Sequence, residues 1–117
     1  MITDIIAAAL LALQPAQAGP APSLDAEQQA LVRCAAAFAL VSHGQDIGNE
    51  AAGKWPKLGE RGREFFVRSL ALLMDQTGLG REGIAALVAE EAQRLWDTGE
   101  TDKVMPACLL MLEGSGV

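Results

Sequence analysis

From Leu24 onward, apolar residues recur every three or four positions, with glycines marking where each run stops. Leu24, Leu31, Cys34, Phe38 and Val41 share one line of a helix and Gly44 closes the run, so the pattern predicts a first helix over about 24–43. Ser23 is its expected N-cap, with Asp25 in the first turn. The interleaved Ala35, Ala36, Ala37 and Ala39 favour helix and leave room for a close neighbour. A second helix is expected over about 60–77, with Phe66, Leu70, Leu73 and Thr77 in line, Val67 and Met74 beside them, and Gly78 and Gly80 at its end. A third, over about 81–97, aligns Ile84, Leu87, Val88, Ala92 and Leu95 and stops at Gly99. The fourth, over about 102–113, carries Val104, Cys108 and Met111 on one line with Leu109 and Leu112 adjoining, and tolerates Pro106 in its early part. It is apolar on nearly every side, as a mostly buried helix or a partner surface would be. Met74, Met105 and Met111 fit a helical core at this spacing.

No segment shows the strict alternation of a half-buried strand. The expected fold class is therefore all-α, a compact four-helix bundle-like domain. One connection stands out. Residues 44–59, GQDIGNEAAGKWPKLG, are long for a link inside a bundle, and such loops commonly carry binding. Gly44, Gly48, Gly53 and Gly59 loosen it, Trp55-Pro56 biases one point toward extended backbone, and Asn49–Ala52 has the composition of an added helical turn.

The region before this pattern reads differently. An apolar run from Ile5 to Leu13 is followed by Ala16-Gln17-Ala18, an A-x-A-like processing site, although the segment before the run carries Asp4 and no Lys or Arg. Residues 1–18 are expected to be a cleaved signal peptide and 19–117 a single helical domain, periplasmic or secreted. The run is too short to span a bilayer as a helix, so no stable membrane insertion is expected after processing.

Export changes the meaning of the two cysteines. In an oxidising compartment an even count points to a bridge, and two cysteines allow one connectivity. Cys34 and Cys108 lie on the apolar stripes of different helices and can meet in a core. A bridge between them closes a loop of about 75 residues, worth roughly 4 kcal/mol on a chain-entropy argument. The alternatives are inert thiols, or a thiol nucleophile at Cys34 with His43 as its base. Two cysteines and one histidine without a Cys-x-x-Cys do not form a recognisable zinc set.

The net charge of −6 argues against binding nucleic-acid phosphate or an anionic membrane surface. Charge is unevenly spread. Residues 53–68 carry Lys54, Lys57, Arg61, Arg63 and Arg68 against Glu60 and Glu64, whereas 75–102 carry seven acidic residues against Arg81 and Arg94. A basic flank beside Trp55 suits a protein or other partner that is acidic or anionic. The competing reading makes this flank a solvated helix start, with Trp55 folded over the bundle as a lid. Glu90 and Glu91 are adjacent and point apart on a helix, and no paired-carboxylate, Ser/His/Asp or metal-ligand constellation is present in the sequence. No cofactor is expected.

The segments CAAAFA (34–39), WPKLGERGREFF (55–66) and MPACL (105–109), following a signal, resemble small exported proteins of alphaproteobacteria. A looser, architecture-level likeness is to the HdeA-type periplasmic acid chaperones, which are small, exported, helical and carry two cysteines. Neither resemblance brings an activity with it. The functional expectation is a non-catalytic binding module using loop 44–59, with Lys54, Trp55, Lys57, Arg61 and Arg63 as contact residues. Alternatives are an acid- or stress-responsive periplasmic chaperone and a small enzyme using His43 and Cys34.

Overall fold

A computed structural model describes residues 23–117. The expected signal peptide and its processing site lie outside the described residues. Among the described residues four long helices and one single-turn helix follow one another: α1 Ala26–Asp46, α2 Glu50–Gly53, α3 Gly59–Thr77, α4 Arg81–Thr98 and α5 Thr101–Gly114. The described residues contain no strand, and none of their helices is long and apolar enough to cross a membrane.

Helix α1 is the centre, and the other four elements all pack on it. Leu31, Val32, Cys34, Phe38 and Val41 are buried, and so are Ala35, Ala36 and Ala37, which are fully covered. From Cys34 to Phe38 consecutive residues are buried through more than one full turn of about 3.6 residues, so this stretch has no solvent face. Its methyl side chains let neighbours approach closely where larger ones would hold them away. The start of α1 differs from expectation by two residues. Asp25, not Ser23, is the N-cap: its carboxylate accepts from the Gln28 backbone N–H at 2.7 Å, and the Gln28 side chain accepts from the Asp25 backbone N–H at 3.0 Å. This reciprocal box satisfies two orphan donors, which a lone serine further upstream would not.

Helix α3 shows an error of register. Its buried line is Gly62, Phe65, Ser69 and Leu73, whereas the expected line ran through Phe66 and Leu70, which are only half-buried. Phe65 meets Phe38 of α1 edge to face, with ring centroids 5.3 Å apart. Periodicity alone does not separate two adjacent phenylalanines; the facing ring on α1 does. Helix α4 follows expectation, with Ile84, Val88 and Leu95 buried, whereas α5 keeps Cys108 but buries Met105 and Leu112 in place of the expected Val104 and Met111, which are half-buried. Gly78 and Gly99 end α3 and α4 in left-handed backbone, as their positions predict.

Cys34 and Cys108 form a disulfide between α1 and α5, with Cα atoms 5.1 Å apart and both residues buried. The first helix is thus tied to the last across 74 positions of chain. Replacing both cysteines with alanine should cost about 2–5 kcal/mol of unfolding free energy, measured by denaturant titration. An unchanged midpoint would show that the bridge does not hold the fold.

At the other end of α1, Gly44 is buried where α2 turns back onto it. A Cβ there would stand 2.6 Å from the Ala52 Cβ, closer than packed carbons come. Gly44→Ala should therefore destabilise by about 1–2 kcal/mol, overpacking outweighing the gain of about 1 kcal/mol in helix propensity. Adding Ala52→Gly should restore most of the loss. A neutral Gly44→Ala would mean that α2 is not seated against α1.

Candidate binding groove

The segment read as a long loop is mostly built structure. Helix α1 continues through Gly44 to Asp46. The chain then reverses at Ile47 and Gly48, where Gly48 takes φ +76°, and Asn49 caps α2 by accepting from the Ala52 N–H.

Gln45 holds the remainder. Its amide nitrogen Nε2 lies within 3.0–3.2 Å of the carbonyl oxygens of Ala52, Trp55 and Pro56, and its Oε1 accepts from the Leu58 N–H at 3.1 Å. One side chain thus satisfies the backbone polar groups of an irregular stretch that has no ladder of its own. Leu58 is buried at the end of this stretch, and a Cβ on Gly62 would meet its Cβ at 2.8 Å.

Trp55 is half-buried against the core rather than displayed. Its indole N–H donates to Asp102 Oδ1 at 3.0 Å, while Lys54 Nζ pairs with Asp102 Oδ2 at 2.5 Å. Lys54 also sits 5.5 Å from the Trp55 ring centroid, a cation–π distance. These contacts latch residues 54–55 onto the start of α5. The Lys54 hydrogen bond, then that from Trp55, hold the Asp102 carboxyl below its ordinary value, with partial burial opposing.

The expected basic contact residues are thereby divided. Lys54 is engaged by Asp102, and Arg61 pairs with Glu113 at 3.1 Å and donates to the Val117 carbonyl. Arg68 pairs with Glu64 one turn away. Lys57 and Arg63 are exposed and have no ion-pair partner among the described residues. Trp55 and Lys54 are thus tied to Asp102. Cys34, its sulfur bonded to Cys108, offers no thiol to His43. No group of three or more His, Cys, Asp and Glu among the described residues could hold a metal ion.

A different feature lies beside the latch. Where the end of α1, the turn of α2, the end of α4 and the start of α5 meet, they leave a groove of about 250 Å³. Leu40, Val41, Gly44, Ala51 and Ala52 line it, with His43, Asn49, Thr101 and Asp102 at its edges. Ile47 and Trp96 also line it and are 67% and 73% exposed. Both exposures have local causes. Ile47 caps α1 at the reversal, beyond the last core position. Trp96 follows Leu95, which takes the fully buried place, so the indole stands about 100° round the helix, off the core face.

The corner carrying Trp96 is firmly set. The Arg94 guanidinium meets both Glu91 oxygens, at 2.7 and 2.8 Å, and reaches Glu100 at 3.1 Å beyond the α4–α5 turn. The Arg94 hydrogen bond holds the Glu91 carboxyl below its ordinary value against the effect of burial, and Arg94 is shifted upward by the same pairing. Sequence reading did not single out Trp96. Its signal was an indole one position beyond a core leucine in a chain with two tryptophans and no tyrosine.

No protein-family model matches this chain, and no curated protein and no solved structure is similar enough to count as a match.

The latch makes a pH prediction. Because the folded Asp102 value is lowered, its stabilisation is fully present above the unfolded value of about 3.9. It is lost as pH falls through the lower, folded value. Asp102→Asn should lower the denaturation midpoint at roughly pH 6 and do so much less at roughly pH 2.5. An equal gap at both pH values would show that the carboxylate's charge contributes nothing there.

Proposed function

We propose that the chain is an exported binding module, and that its partner-contacting surface is the groove flanked by Trp96 and Ile47. The observation that carries this reading is the pairing of two large, mostly exposed apolar side chains with the hollow they border. Exposed apolar residues scattered singly need no explanation, but a tryptophan and an isoleucine framing an apolar groove have the composition of an interaction site. Tryptophan also contributes strongly to interfaces, through its area and its small entropy loss on ordering.

The surroundings support a preformed site. Gln45 holds Ala52 and the Trp55 indole holds Asp102, and both held residues line the groove, so less ordering cost remains to be met on binding. The disulfide is compatible with an oxidising compartment outside the cytosol.

Compared with the original expectation of a basic loop, this reading moves the contact surface from Lys54, Trp55 and Arg61 to the neighbouring face. A photoreactive amino acid placed at position 96 or 47, in protein expressed in its source cell, should yield discrete adducts. The same group at position 57 or 63 should yield few. Adducts confined to positions 57 and 63, or none at any position, would overturn the proposal.

A further inference from the structure

Helix α5 carries another exposed apolar surface, separate from the groove. The helix packs on α1 and α3, and Cys108, bonded to α1, forms its buried face with Met105 and Leu112. At about 100° per residue, Lys103, Ala107, Leu110 and Gly114 fall on the opposite side, with Pro106 beside them. All five are exposed, Leu110 by 75%. The solvated face of a surface helix ordinarily carries polar residues, yet positions 104–112 hold no charged residue at all. The line through 103, 107, 110 and 114 advances by four, three and four residues. That is the repeat by which two helices pack along one seam.

We infer that this face pairs with a second copy of the chain, the two α5 helices lying antiparallel about a two-fold axis. Such a contact sets residue i on j and j on i. With the axis level with positions 108 and 109, Leu110 of each copy lies over Ala107 of the other. The large side chain then fills the space that the small one leaves.

The ends of the line match as well. Lys103 has no ion-pair partner among the described residues, and in this register it crosses Gly114 of the other copy. The C-terminal end of α5 has no basic residue in its last turn, and helix-end carbonyls favour a cation. The exposed Glu113 stands beside it. One helix face thus supplies both halves of each contact, which a copy of itself fits.

Net charge singles out the same surface. The chain carries −6, so two copies repel wherever their acids face each other. Positions 103–112 hold no acidic residue. Thr101 and Asp102, where α5 lines the groove, lie off the seam, so the contact does not use the groove's residues.

Sedimentation of the intact, oxidised chain over a range of concentrations provides the test. A reversible monomer–dimer equilibrium is expected. Leu110→Glu should weaken it roughly tenfold or more by placing two carboxylates in the apolar contact, with the helical circular dichroism unchanged. Lys103→Glu should also weaken it. Gly114 has no positive φ, and a Cβ there would meet nothing within 4 Å, so a side chain fits. Lys103→Glu/Gly114→Lys should recover the dimer, because each introduced glutamate meets the other copy's introduced lysine. Trp96→Ala should leave the equilibrium unchanged.

A monomer at every concentration would overturn the inference, and so would a dimer that Leu110→Glu leaves intact. Failure of the double variant to recover what Lys103→Glu loses would overturn the antiparallel pairing. A dimer that Trp96→Ala dissociates would seat the second copy in the groove instead, which also overturns the inference.

Discussion

The constraint on which the fold depends is the burial of the middle of α1, from Cys34 to Phe38, through side chains small enough to allow it. A helix that packs on one face can carry large residues there and polar ones opposite. In its middle helix α1 is covered all round, and across Ala35, Ala36 and Ala37 no exposure remains. Each alanine brings a neighbouring helix nearer, and each added methylene would force one outward. The two tightest approaches lie near opposite ends of the buried stretch. At Cys34 a covalent bond draws α5 to a Cα separation of 5.1 Å. At Gly44 the absence of a side chain lets α2 seat its Ala52.

Close packing at Gly44 creates a second requirement, which a polar side chain meets. Bringing the chain back so sharply after α1 leaves residues 52–58 with carbonyl and N–H groups that no regular element pairs. Gln45, the residue after Gly44, reaches four of them. The same compact return carries Trp55 against the core and Lys54 to Asp102. A stretch with the composition of a flexible loop is thereby held at the helix end, the start of α3 and the start of α5. Composition indicated freedom, and hydrogen bonding removed it.

The parts of the fold legible in the sequence were those set by local rules. Helix ends followed from glycines that must adopt left-handed backbone at 78 and 99. The stripe on α4 followed from period, and the cysteine pair followed from two apolar stripes combined with an even count. What escaped depended mostly on partners remote in sequence. Phe65 rather than Phe66 faces inward because Phe38 stands opposite. Asp25 replaced Ser23 as cap because Gln28 completes the box from the other side, a pattern that was readable. The role of Gln45 was not readable, since its partners are main-chain atoms and leave no trace in residue type. Lys54 and Arg61 looked like free cations because Asp102 and Glu113 lie some fifty positions away in the chain.

The groove is a consequence of this architecture. Core positions on α4 are used up by Ile84, Val88 and Leu95, and α1 stops being surrounded where Ile47 turns the chain. Beyond that point no further helix among the described residues covers Leu40, Ile47 and Trp96. A one-turn α2 is too short to do so, and lengthening it would displace the Gln45 contacts that fix the return. Apolar side chains of this size release about 1.5–3 kcal/mol each when fully buried. That free energy is not used by the isolated fold, in which Trp96 stands off the core face of α4. It is available to whatever covers the corner, and since the hollow already exists, a partner need not first create it.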